Sequence, residues 1–220
     1  MAINKGLNEP FGWEEGLRRI ESTLSHDILY HNPYNNVTHL DNHDLSRFYG
    51  SVGENFNKWK MGMSMLLTLR GIPQIYYGSE ILMKKFADPD AWVREDFPGG
   101  WASDRVNKFE AAGRSDDENK AFNFIQNLLV WRKNNPWFGS SKLTQFVPME
   151  DTWVYFRYDE EHTLMCVYST SQESKSLALD RYAERIRGAS EMKNILTGET
   201  QNIEKTLTLA PMSVGVYELR

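Results

Sequence analysis

Asn32-Pro33-Tyr34-Asn35-Asn36-Val37-Thr38-His39-Leu40-Asp41-Asn42-His43-Asp44 is the stretch on which the fold turns. A polar loop gives way to an apolar run, Val37 to Leu40, which reads as a short buried strand. The run then breaks within four residues into Asp, Asn, His and Asp. In parallel α/β architectures, ligands and catalysis sit at the C-terminal ends of strands. Three ionisable groups and an amide at such an end form a candidate site. Taken alone, the same four residues serve equally well as a polar turn that caps the following helix.

On the N-terminal side, Trp13, Leu17, Ile20 and Leu24 recur at helical spacing and predict one apolar stripe. On the C-terminal side, Trp59, Met63, Leu66 and Leu67 predict a second helix, with Gly71 as its stop signal. Ile72 to Tyr77 is β-branched and aromatic, which makes it a second strand ended by Gly78. A polar segment rich in Asp, Gly and Trp follows from Met83 to Arg114. Ser115 and Glu118 then stand at capping-box spacing and open a third helix, whose core face is read as Phe122, Ile125 and Leu129. That helix ends at Asn134-Asn135-Pro136. Helices and strands alternating in this way imply a parallel sheet with crossover helices. Two strands are too few for an independent sheet.

The texture changes near Pro136, beyond which the pattern is all β. Expected strands are Thr152 to Tyr158, Thr163 to Ser169, Ser174 to Asp180, Thr206 to Leu209 and Val214 to Leu219. Turn signals lie at Asp159-Glu160-Glu161-His162 and Thr197-Gly198. The expected fold class is therefore α/β followed by a small antiparallel β-sandwich, divided into residues 1–138 and 139–220.

Charge narrows the function. The chain carries 25 Lys and Arg against 30 Asp and Glu, a net charge of −5. With no basic tract to displace phosphate counterions, nucleic acid is an unsuitable partner. The longest apolar run, Met61 to Leu69, is broken by Gly62, Ser64 and Thr68 and is too short to cross a bilayer. Ile3 to Trp13 lacks the apolar core of a signal peptide, and the compartment stays open. Cys166, the single cysteine, excludes an intrachain disulfide and reads as a buried, inert thiol. Seven Trp, ten Tyr and eleven Phe supply rings suited to stacking on pyranoses, although more than half are expected to fill cores.

Asp41-Asn42-His43-Asp44, with Arg47 three positions on, resembles the seventh-strand signature of the α-amylase family (glycoside hydrolase family 13). Gly71-Ile72-Pro73-Gln74-Ile75-Tyr76-Tyr77-Gly78-Ser79-Glu80 is similar to that family's eighth strand, at a spacing that fits one crossover helix. Phe97-Pro98-Gly99-Gly100-Trp101 is most similar to the neopullulanases and cyclomaltodextrinases. The resemblance covers essentially the whole chain. It implies the last two strands and helices of a (β/α)8 barrel with a C-terminal β-sandwich, and retaining hydrolysis of α-1,4-glucosidic bonds.

That chemistry needs a carboxylate nucleophile and a separate acid. The resemblance implies that both lie on strands preceding this sequence. It assigns to Asp44 the third carboxylate, which stabilises the transition state. His43, Asn42, Trp92, Arg94 and Trp101 are implied to bind α-glucan; Arg47, Tyr77 and Glu80 are structural, with Arg47 partnering a carboxylate. No cofactor is implied, and no metal, because the family's calcium ligands lie in other segments. His39 replaces an aromatic common at its position and is read as a packed, hydrogen-bonded core residue rather than a ligand. A chain with one of three carboxylates is expected to be inactive alone, or to act as a non-catalytic glucan-binding module. An interaction domain without sugar chemistry would have no need of both motifs. Two strands cut from a barrel leave open edges and bare apolar faces. Those surfaces are expected to be covered by self-association or by the barrel's N-terminal half.

Overall fold

In a computed structural model, which describes residues 2–220, the chain forms two packed layers of different architecture. The first contains helix α1 (Ala2–Asn8), α2 (Leu17–Ser25), strand β1 (Val37–Thr38), the short helix α3 (Phe48–Ser51), α4 (Phe56–Thr68), β2 (Ile72–Pro73) and α5 (Asp116–Asn134). Strands β1 and β2 are parallel neighbours, with Val37 opposite Ile72 and Thr38 opposite Pro73. The Ile72 N–H donates to the Asn36 carbonyl (2.9 Å) and the Gln74 N–H to the Thr38 carbonyl (2.8 Å).

Both strands are shorter than their apolar runs suggested. A ladder persists only where a neighbour accepts its bonds, and among the described residues each strand has a neighbour on one side only. Val37 and Ile72 are accordingly 57% and 53% exposed rather than buried.

Helix α4 is the hub. Trp59 and every residue from Met61 to Thr68 are buried, so the helix reads as an apolar run more than as a stripe. Gly62 lets the Phe48 ring lie against it, and a β-carbon at that position would overlap the ring.

Helix α2 buries Leu17, Ile20 and Leu24 as its stripe requires, but Trp13 is not part of it. The backbone turns at Gly16 (φ 63°) before the helix begins, which leaves Trp13 exposed.

Helix α5 opens with the expected capping box: Ser115 Oγ accepts from the Glu118 N–H, and Glu118 accepts from the Ser115 N–H. Its core face is Ala121, Ile125 and Leu128. Phe122 and Leu129 lie one residue round and instead line an open groove of about 500 Å³ beside β2. A second groove, of about 480 Å³, flanks β1 and is lined by Leu24, Tyr30, Val37, Leu40 and Leu66 among others.

The second layer is built from β3 (Lys142–Gln145), β4 (Thr152–Tyr158), β5 (Thr163–Ser169), β6 (Lys175–Ala178), the short helix α6 (Ala183–Ile186), β7 (Glu191–Asn194), β8 (Thr200–Asn202), β9 (Thr206–Leu209) and β10 (Ser213–Leu219). A six-stranded antiparallel sheet runs in the order β3-β4-β5-β10-β7-β8, and β6 pairs with β9 in a separate ribbon. The ribbon and the segment around Tyr182 and Ile186 cover one face of the large sheet, burying Val154, Phe156, Met165 and Val167. The opposite face, with Trp153, Tyr155, Leu164, Cys166 and Tyr168, joins the core of α4 and α5. Both faces being covered, β4 and β5 are apolar almost throughout instead of alternating.

A buried polar seam fixes the layers to each other. Ser64 and Thr68 of α4 hydrogen-bond the hydroxyls of Tyr155 and Tyr168. Arg157, 1% exposed, donates to the carbonyls of Thr68 (2.8 Å), Phe138 (2.9 Å) and Ser141 (3.3 Å). Burial pushes the Tyr155 and Tyr168 hydroxyls well above the usual phenol range, and the Cys166 thiol up to about 12. The expectation of a buried thiol holds.

Candidate active site

The end of β1 splits its polar residues between inside and outside. Leu40 and Asp41 turn into the core, and His43 and Asp44 face solvent. Asp41 is 4% exposed and accepts from the Phe48 N–H (2.8 Å) and from Ser79 Oγ (3.2 Å). Burial raises its carboxyl above the ordinary aspartate range, against the opposing pull of these donors and of the Arg47 charge. Asp41 thus ties the end of β1 to the start of α3 and to the turn after β2. Reading the sequence for exposed chemistry passes over it. The available signal was its place immediately after buried Leu40, seven residues before the N–H it accepts.

Asn42 acts inside the turn. Its Oδ1 accepts the Asp44 N–H (2.9 Å), which fixes the amide orientation and directs Nδ2 towards His39 Nε2 (3.4 Å). His39, half-buried, thus contacts the side chain that shapes the Asp44 turn, as a packed, hydrogen-bonded residue does.

Asp44 presents its carboxylate outward, with 63% of the side chain accessible. One oxygen lies 3.2 Å from His43 Nε2 and the other 3.0 Å from Arg94 Nη2. Arg94 comes from a 3₁₀ turn, Trp92–Arg94, fifty residues away in sequence. Its Nε also donates to the His43 carbonyl (2.9 Å), and Asp90 approaches the same guanidinium at 3.4 Å. The structure thus gathers Asn42, His43, Asp44 and Arg94 into one cluster.

The remaining candidates divide. Trp92 shares the turn with Arg94, and its half-exposed ring lies 5.3 Å from Lys85 Nζ. Trp101 is anchored elsewhere: its indole donates to Asp96 (3.0 Å) and its N–H to Asp104 (3.1 Å). Its hydrogen bonds do not reach the His43–Asp44 turn.

Arg47 is buried as a structural residue should be, but its expected carboxylate partner is replaced by aromatic rings and a carbonyl. The guanidinium donates to the Tyr77 carbonyl and lies 4.1 Å from the Tyr76 ring centre and 4.6 Å from that of Tyr77. Among the described residues no carboxylate stands within ion-pair distance of it. In such a site a delocalised cation is better matched by π faces than by a second desolvated charge. The Tyr77 hydroxyl donates to the Glu95 carbonyl (2.6 Å). Glu80 lines the groove beside β2, and burial raises its carboxyl above the usual range.

Known proteins match this architecture along nearly its whole length. Residues 17–151 match the family described as the α-amylase catalytic domain, and residues 143–218 the cyclo-malto-dextrinase C-terminal domain. A cyclomaltodextrin glucanotransferase from Geobacillus stearothermophilus is 27% identical, over 96% of this chain and 28% of its own length. A 4-α-glucanotransferase from Thermotoga maritima is 28% identical, over 73% of this chain and 40% of its own length. In fold, the chain is similar to an α-amylase from Geobacillus thermoleovorans solved with acarbose, at a TM-score of 0.75 and 22% identity. That likeness covers 100% of this chain and 46% of that one. The chain therefore spans between about a quarter and a half of the length of these relatives. With two parallel strands, a two-sheet C-terminal layer and a catalytic-domain match over more than half of its 220 residues, the chain belongs to the α-amylase family.

Proposed function

We propose that this chain supplies one wall of the active site of an enzyme acting on α-1,4-linked glucans, of the neopullulanase and cyclomaltodextrinase type. In this reading residues 1–138 are the closing part of a (β/α)8 barrel and 139–220 its C-terminal sandwich. The observation that carries it is the exposed Asp44 carboxylate at the C-terminal end of β1, beside His43 and within reach of Arg94.

Asp44 accepts hydroxyls of the glucose unit at the cleavage point and favours the distorted ring of the transition state. His43 donates to the same sugar, and Asn42 holds the turn. Arg94 keeps its second terminal nitrogen available to a hydroxyl, and the half-exposed Trp92 and exposed Trp101 offer faces for stacking. One carboxylate cannot both attack the anomeric carbon and protonate the leaving oxygen. The chain by itself then binds glucan without cleaving it. The nucleophile and the acid come from the remaining strands of the barrel, which pack into the grooves beside β1 and β2. Another copy of the chain covering those grooves is the alternative arrangement, and sedimentation of the chain alone over a concentration series separates the two, since only self-association raises the mass of the isolated chain.

Calorimetry with maltoheptaose, paired with nitrophenol release from a nitrophenyl maltoside, tests the reading. Binding without turnover is expected, whereas turnover by the isolated chain contradicts it. In the complete enzyme, Asp44→Asn is expected to lower kcat severely with little change in stability; an undiminished kcat removes Asp44 from its role. A second reading, a non-catalytic glucan-binding module, is favoured by the exposed rings of Trp92 and Trp101. It is distinguished by an unchanged kcat of the complete enzyme when Asp44 is replaced.

A further inference from the structure

We infer that Arg94 is a positioning residue for Asp44, holding the carboxylate and its supporting peptide in one orientation before sugar arrives. The inference deepens the reading of Asp44 as the sugar-facing carboxylate, and its significance for glucan binding rests on that reading.

An exposed ion pair is ordinarily a weak device, because ordering two long side chains offsets most of the attraction. Three features set this one apart. The first is the fork: Nε takes the His43 carbonyl at 2.9 Å while Nη2 takes the Asp44 carboxylate at 3.0 Å. Both the backbone leading into Asp44 and its side chain are thereby fixed by one rigid plane.

The second is that the turn presenting Arg94 is itself pinned. Val93 is buried at 1% exposure between its two exposed neighbours. The Tyr77 hydroxyl holds the Glu95 carbonyl at 2.6 Å, the Tyr76 hydroxyl lies 3.5 Å from the Val93 carbonyl, and Lys85 pairs with Glu95 at 3.3 Å. Because both aromatic side chains follow β2, the strand beside the Asp44 strand, Arg94 is fixed relative to its target. Much of the ordering cost is met by the fold rather than by the pair.

The third is the charge balance. Asp90, 3.4 Å from the guanidinium on its own segment, shares the cation with Asp44. The cluster therefore keeps carboxylate character towards a neutral sugar, and the Asp44 oxygens retain lone pairs for its hydroxyls. The 88–95 segment and the Asp44 turn behave as one element, so a sugar stacked on Trp92 is registered at Asp44 through Arg94.

The test uses the 220-residue chain and the guanidinium ¹⁵N–H signals of Arg94. A forked guanidinium has hindered rotation and slowly exchanging protons, and its signals are resolved from those of free arginine. We expect resolved Arg94 Nη signals in the parent chain and faster guanidinium rotation and proton exchange at Nη in Asp44→Asn, while the Nε–H bond to the His43 carbonyl persists. Averaged Nη signals in the parent chain, or Nη rotation and exchange unchanged in Asp44→Asn, overturn the inference. Maltoheptaose calorimetry supplies a second readout: Arg94→Met is expected to weaken binding about two- to fivefold, with Arg94→Lys recovering part of the loss. If maltoheptaose binds no form of the chain, the glucan reading fails, and the signals still decide whether Arg94 holds Asp44.

Discussion

Replacing Arg157 by Met tests what joins the two layers. The side chain is 1% exposed, and its guanidinium faces three carbonyls rather than an acid. One of these, Thr68, is the last residue of α4, where unpaired carbonyls carry the negative end of the helix dipole. The neighbouring Leu67 carbonyl is taken by Arg132, whose own guanidinium is lowered to about 10 by burial and by the nearby Arg157 charge. Methionine nearly conserves volume and leaves the Phe138 ring, 4.4 Å from the guanidinium carbon, a packing partner. The carbonyls of Thr68 and Phe138 lose well-aligned donors at 2.8 and 2.9 Å, and the 3.3 Å bond to Ser141 counts for less. Orphaning a buried carbonyl costs about 1–3 kcal/mol, so two give roughly 2–6 kcal/mol. Relief of the buried cation, whose Nε has no partner among the described residues, offsets part of this. The expected net loss is about 3 kcal/mol, or a fall in Tm of roughly 6–12 °C for a chain of this size. Arg157→Lys retains a single charged nitrogen, which can still serve at least one of the carbonyls, and should lose less. Urea denaturation followed by tryptophan fluorescence measures both. A midpoint for Arg157→Met equivalent to less than about 0.5 kcal/mol of destabilisation refutes the reasoning.

Gly62→Ala raises helix propensity by about 1 kcal/mol but drives a methyl into the fully buried Phe48 ring, which costs about 1–3 kcal/mol. A net destabilisation of about 1 kcal/mol is expected by thermal melting; a gain in stability would show that the ring moves freely. The thiol of Cys166 is raised to about 12 by burial, well above an ordinary thiol, and Tyr155 and Tyr168 are raised in the same sense. The Cys166 contribution is complete below about pH 9 and is lost as pH climbs towards 12, at about 1.4 kcal/mol per pH unit, and the tyrosines add to the loss only above about pH 10. Cys166→Ala should flatten the alkaline limb of the stability profile, and an unchanged slope counts against a buried thiol. Asp41→Ala leaves the buried Phe48 N–H without an acceptor and should cost about 2 kcal/mol. Asp41→Asn, which keeps an acceptor and removes the buried charge, should cost less. Equal losses in calorimetry would show that the charge, not the acceptor, matters.

What the sequence by itself determined were the features whose causes lie within a few residues. The α5 capping box spans Ser115 to Glu118, the β4–β5 hairpin closes through Asp159 to His162, and the two motif strands keep their order and parallel partnership. Tertiary structure decided whatever depends on partners distant in the chain. Strands β3, β7 and β8 are mostly polar and exist because neighbouring strands satisfy their backbone groups. The face that α5 buries was set by where α4 lies, so Leu129 turned towards the groove and Leu128 towards the core. The Asp44–Arg94 contact joins residues fifty positions apart, and periodicity carries no information over that distance. Asp41 and Asp44 are the same residue type three places apart. Only the direction in which the folded turn points each carboxylate makes one a buried brace and leaves the other open to a ligand.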